Sequence, residues 1–157
     1  MGKHSRTARP RVRMALAAGI AGIGAMASVG TAHAQGPAMV EGTPCTAVAR
    51  ACVDLAAGTA WLVDNGKIAR GPVPISSGGP GNETPRGDFR VEWKNVNHRS
   101  AEFDNAPMPF SVFFAQGGIA FHEGRLDTPS AGCVRLARAD AIAFFDFLAV
   151  DDPVQVR

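Results

Sequence analysis

The sequence predicts a single, mainly β domain with one helix towards its C-terminal end, preceded by an export segment. Three observations carry that expectation. Short apolar runs recur between clusters of Gly, Pro, Asn and Asp, the pattern of strands and turns. An Asn65-Gly66 pair stands between two such runs. Apolar residues at helical spacing occur once, in residues 139–150.

The first 34 residues read as a secretory signal peptide. Lys3, Arg6, Arg9, Arg11 and Arg13 form a basic start, residues 14–29 are an uncharged apolar run, and Ala32-His33-Ala34 offers small residues for cleavage after Ala34. The run is too short and too rich in glycine for a membrane span, so no stable anchor is expected after cleavage. The whole chain has 16 Lys+Arg against 14 Asp+Glu. Without the five basic residues of the export segment, 11 remain against 14, a charge near −3. The apparent basicity belongs to export, and nucleic-acid binding is not indicated.

Residues 35–50 read as a flexible leader, small, polar and punctuated by Gly and Pro. The catalytic domain is then expected over residues 51–157. Residues 52–55 and 59–64 read as strands, and Asn65-Gly66 as a two-residue hairpin turn that needs positive φ at both positions. Residues 67–75 return as the partner strand, with Pro72 and Pro74 confining its far end to a sheet edge. Residues 76–87 form a long loop of turn formers; it lacks the Gly-Lys-Ser/Thr ending of a phosphate-binding loop. Residues 89–93 alternate as a strand. The polar residues 94–105 are expected as loop, with His98 an exposed loop histidine. Strands follow at 111–114 and 119–122, then the helix at 139–150 with Asp140 near its start, and a closing strand at 154–156.

The chemistry concentrates in one stretch, from Phe121-His122-Glu123-Gly124 to Ser130-Ala131-Gly132-Cys133-Val134-Arg135-Leu136. A histidine ends an apolar run, and a cysteine follows a glycine after a short Pro/Gly loop. A thiol attacks as thiolate, and a nearby imidazole generates one near neutral pH. The glycine lets main-chain N–H groups approach a bound carbonyl, which makes the Cys133 and Gly132 N–H groups the expected oxyanion donors.

The Ser-x-Gly-Cys-x-Arg-Leu pattern at residues 130–136 resembles the signature of the L,D-transpeptidase catalytic domain, or YkuD domain. So does Thr84-Pro85-Arg86-Gly87-Asp88-Phe89, which is similar to the family's Thr-Pro-x-Gly-x-Phe element, and Met108-Pro109-Phe110 resembles its Met-Pro segment bordering the active site. The motifs stand in the family's order, and the resemblance covers roughly residues 52–156. It implies a β-sandwich of the L,D-transpeptidase type, a Cys133 nucleophile with His122 as base, and a Glu123 main-chain carbonyl that orients the imidazole. It further implies that Ser130, Arg135 and Met108 hold the loop or the substrate, with Arg135 favoured as a loop-holding residue. Two features depart from the commoner pattern: Ala131 stands where histidine is usual, and the loop from His122 to Cys133 is short.

The implied reaction is the cross-linking of peptidoglycan stem peptides through a Cys133 thioester, with release of D-alanine. Carbapenem β-lactams are the implied inhibitors. The alternatives are hydrolysis of stem peptides, with water in place of the acceptor amine, and a non-catalytic wall-binding protein on the same scaffold.

Three cysteines in an exported chain leave one unpaired. Cys45 and Cys52, seven residues apart, are the expected disulfide, which leaves Cys133 free. Pairing of Cys133 with either of the others is the alternative and argues against an enzyme. No cofactor is implied, and no metal, because Cys133 and His122 have no further ligands at metal spacing.

Overall fold

The computed structural model describes residues 36–157; the signal peptide expected at residues 1–34 lies outside the described residues. Strand β1 (Ala51–Asp54) turns into β2 (Thr59–Asp64). The Asp54 carboxylate caps that turn by accepting the Ala56 and Ala57 N–H groups, each at 3.0 Å, as an aspartate at a turn does. Asn65 and Gly66 then take φ of +49° and +73°, the left-handed pair that a type I′ hairpin requires, and lead into β3 (Lys67–Ser76).

The remaining elements are β4 (Gly87–Arg90), β5 (Trp93–Arg99), β6 (Pro107–Ala115), β7 (Ile119–Glu123), β8 (Val134–Leu136), α1 (Arg138–Phe147) and β9 (Pro153–Val156). All nine strands belong to one sheet in the order β4-β9-β1-β2-β3-β8-β7-β6-β5. The sheet curls at β3. Residues from Lys67 to Pro74 pair with β2, while Ile75 and Ser76 pair with Leu136 and Arg135 of β8. Pro72 and Pro74 therefore stand where only one side of the strand is bonded. A residue without N–H fits there, although β3 as a whole is central rather than an edge.

The curl encloses one apolar core drawn from both halves of the sheet: Val53, Leu62, Val112, Phe114, Phe121, Val134, Leu136, Val154 and Val156, closed by Ala141 and Phe144 of α1. Four rings run through it in contact, Phe89 to Phe114 (5.8 Å between centroids), Phe114 to Phe121 (4.7 Å) and Phe121 to Phe144 (5.2 Å). Each buried ring contributes about 1.5–3 kcal/mol relative to an exposed one. This is the expected mainly β, sandwich-like domain with one helix, built here from a single folded sheet.

Three expectations change. Residues 36–50, expected as a flexible leader, are folded against the sheet: Val40, Cys45 and Ala49 are buried, Met39 bridges Thr46, and Thr46 exchanges two hydrogen bonds with the Gln155 side chain at 2.8 and 2.9 Å. Cys45 and Cys52 form a disulfide, which fastens this arm to β1 and packs with Trp61 and Val63. Residues 93–99, expected largely as loop, are strand β5, paired with β6. The helix ends at Phe147, sooner than expected, because buried Leu148 is already extended (ψ 131°). Among the described residues no helix is long and apolar enough to cross a membrane.

Candidate active site

Phe121 lies in the centre of the sheet, opposite Val112 of β6 and Val134 of β8, and points into the core. Strand alternation then sends Ala120 and His122 to the other face. There the chain forms a cavity of about 660 Å³ lined by His122, Cys133, Met108, Ser130, Arg135 and Glu123, together with Trp93, His98, Glu102, Phe113 and residues of the 117–119 turn. Gly132 is not among the lining residues, and the Cys45–Cys52 disulfide belongs to a separate cluster. Parallel pairing of β7 with β8 sets His122 beside Arg135, and Cys133 enters just ahead of β8.

His122 is 7% exposed. Its Nδ1–H donates to the Glu123 main-chain oxygen at 2.7 Å, which leaves Nε2 as the basic nitrogen. Burial holds the imidazole below its ordinary value; the Glu123 hydrogen bond acts against that, and the charges of Arg135 and His98 act with it. The Glu123 carboxylate is engaged elsewhere, with Arg138 at 2.8 Å.

Cys133 is a free thiol of intermediate exposure, packed beside Met108, Phe113 and Ala120. Its Sγ donates to the Gly118 carbonyl at 3.5 Å. Burial pushes the thiol above its ordinary value, opposed by the Ala120 main chain and the Arg135 charge. Burial thus favours the uncharged form of both groups, a neutral thiol and a neutral imidazole.

The loop before Cys133 is held by hydrogen bonds to its main chain. Ser130 Oγ accepts the Gly132 N–H at 3.1 Å and donates to the Cys133 carbonyl at 2.5 Å. The Gly132 N–H, expected as an oxyanion donor, is thus hydrogen-bonded to Ser130 Oγ here. Gly132 itself has φ +112°, and a Cβ there would lie 2.7 Å from Ile119 Cδ1. Arg135 reaches across the loop to the carbonyls of Arg125 (3.5 Å) and Thr128 (3.2 Å) and to the Thr128 hydroxyl (3.3 Å), lying against Gly124, where a Cβ would meet its side chain at 2.6 Å. These contacts tie it to the loop.

Sequence reasoning missed two groups. Thr84 donates to the Gly132 carbonyl at 2.7 Å and accepts the Gly78 N–H at 2.9 Å, linking the two motifs in space; a lone Thr before Pro carries no signal of that reach. His98, Trp93 and Phe113 form an aromatic wall, with Trp93 stacked on Phe113 at 3.7 Å and His98 edge-on to both. Among the described residues no group of three His, Cys, Asp or Glu side chains is placed to hold a metal ion.

Residues 49–156 match the family of the L,D-transpeptidase catalytic domain (YkuD). Among solved structures, the chain is similar to an L,D-transpeptidase from Stackebrandtia nassauensis (28% identity, TM-score 0.64, covering 68% of this chain and 54% of that one). It is also similar to an L,D-transpeptidase from Xylanimonas cellulosilytica (26% identity, TM-score 0.63, covering 73% of this chain and 63% of that one). An L,D-transpeptidase solved in complex with imipenem shares the fold (23% identity, TM-score 0.62, covering 68% of this chain and 57% of that one). The chain thus spans little more than half the length of the first of these proteins. No curated protein matches the sequence.

Proposed function

The chain belongs to the L,D-transpeptidase catalytic-domain (YkuD) family, and from that premise we propose that it is an exported cysteine acyltransferase that cross-links peptidoglycan stem peptides. The observation that carries this reading is the pair in the cavity: an unpaired Cys133 thiol and a His122 whose Nδ1–H is committed to the Glu123 carbonyl.

Cys133 Sγ turns from Gly118 towards His122 Nε2 and gives up its proton as it attacks the carbonyl that joins the third, L-centred stem residue to terminal D-alanine. The oxyanion is received by the Cys133 N–H, a contact worth about 3–4 kcal/mol in comparable sites. The C–N bond breaks, His122 passes its proton to the departing amine, and a thioester remains. The side-chain amine of a second stem then attacks the thioester and forms the cross-link; water in its place releases a tripeptide.

The signal-like residues 1–34 support export, as does a structural disulfide, which persists in oxidising compartments. A relative of the same fold solved with imipenem supports carbapenems as covalent inhibitors acting at Cys133.

The test is mass spectrometry of the mature domain after exposure to a carbapenem and, separately, to disaccharide tetrapeptide. A stoichiometric adduct lost in Cys133→Ala, with cross-linked dimer from the tetrapeptide, is the expected result. Tripeptide without dimer identifies a hydrolase. A free thiol that forms no adduct identifies a non-catalytic wall protein.

A further inference from the structure

β5 and β6 pair in constant register from Trp93↔Phe113 to Arg99↔Pro107, but the ladder is interrupted at Val96 and Phe110. Phe110 has φ +57°, a left-handed conformation that is an outlier for a bulky residue. Packing holds it there: its ring meets Phe145 at 6.1 Å, and the Arg138 guanidinium lies 5.1 Å from its centroid. Strict alternation would place Trp93 and His98 on opposite faces of the strand. Past the interruption the phase is reversed, and both rings meet Phe113, at 3.7 and 4.9 Å.

The result is a half-buried imidazole clamped in the cavity wall, with no hydrogen bond from its ring to any described residue. The other basic groups of the cavity are occupied. Arg125 is bidentate to Asp127 (3.0 and 2.7 Å), Arg135 binds loop carbonyls, and His122 is held by Glu123. Of the two acids, Glu123 is paired with Arg138, and Glu102 stands on the turn that follows β5. Phe113 touches His98 and belongs to the small cluster against which Cys133 packs, and all three line the same cavity.

Resting on the acyltransferase reading, we propose that His98 is a substrate-binding residue that reads the terminal carboxylate of the departing amino acid. That carboxylate lies one residue, about 3.8 Å of chain, beyond the attacked bond, so it falls in the same cavity that His98 and Cys133 both line. A charge-assisted hydrogen bond to a carboxylate is of the strong kind. Phe110 is a positioning residue in this arrangement, since its left-handed backbone turns His98 into the cavity.

The experiment compares kcat/KM for disaccharide tetrapeptide and for the same donor with its terminal carboxylate as the amide, reading release of D-alanine or D-alaninamide by mass spectrometry. Wild type is expected to favour the acid by about tenfold or more. His98→Ala abolishes the preference, mainly through KM, and His98→Gln, which keeps a donor, retains part of it. Iodoacetamide labelling of Cys133 stays unchanged in both. Phe110→Gly, which accepts positive φ, keeps the preference, whereas Phe110→Ile loses it. Turnover of acid and amide alike by wild type, or an undiminished preference in His98→Ala, overturns the proposal while leaving the acyltransferase intact. A wild type that turns over neither donor and forms no carbapenem adduct overturns both.

Discussion

The Thr84 hydroxyl donates to the carbonyl of Gly132 at 2.7 Å across 48 positions of sequence. Through this contact the glycine-rich loop after β3 sets the height of the main chain that presents Cys133. Thr84 is 4% exposed, so a partner lost here is not replaced by water. Thr84→Val leaves a buried carbonyl unsatisfied and is expected to cost about 1–3 kcal/mol, read as a lower thermal midpoint together with slower carbapenem acylation. Thr84→Ser restores both; a valine variant with wild-type acylation would show that the tie does not position the nucleophile.

Gly132→Ala meets two obstacles, the φ of +112° and a Cβ 2.7 Å from Ile119 Cδ1. Strain of this kind is about 1–3 kcal/mol, and the residue precedes the nucleophile, so a small displacement is expected to slow acylation roughly 10²-fold. Adding Ile119→Ala removes the contact but not the strain. Full recovery in that double variant would show that the contact alone mattered.

The pH profile follows from the two shifted groups. The base must be neutral, and burial lowers the His122 value, so the fraction of neutral imidazole rises with pH and saturates early. Acylation is expected to climb with a midpoint below 6.5 and then stay level through neutral pH. The Cys133 thiol is shifted upward, past 9.0, so direct iodoacetamide labelling climbs only in the alkaline range. An acylation midpoint above 6.5, or fast labelling at pH 7, would contradict the neutral pair.

Replacing Cys45 and Cys52 together by alanine removes a link that closes a seven-residue separation. In the chain-entropy model this costs about 2–3 kcal/mol, or roughly 10 °C in thermal midpoint for a domain of this size. The cluster around the disulfide is separate from the cavity. Acylation per folded molecule is therefore expected to match wild type, and a slowed rate at full folding would reveal coupling between the two regions.

What could be read in advance was whatever rests on local rules. Asn65-Gly66 demanded a hairpin through its backbone preferences alone, and Ile119 to His122 announced a strand that ends on a polar group. The arm before β1 was misjudged because its anchors are distant: Thr46 meets Gln155, and Cys45 contacts the Gln155 carbonyl. β5 was misjudged because a polar edge strand looks like a loop, and because the reversal at Phe110 hides His98 from any period-two reading. The bond from the Gly132 N–H to Ser130 is invisible in the string of residues, because it depends on how the loop folds back on itself.

His122 and Cys133 reach the cavity from two adjacent parallel strands, whose mutual offset is set by Phe121 opposite Val134 and His122 opposite Arg135. The segment between them is consequently a passenger on the ladder, fastened to it by the tether from Arg135 and the brace from Ser130. A brief connection and an alanine at 131 are thus compatible with His122 and Cys133 lining one cavity, because the ladder rather than the connecting segment sets where each enters it.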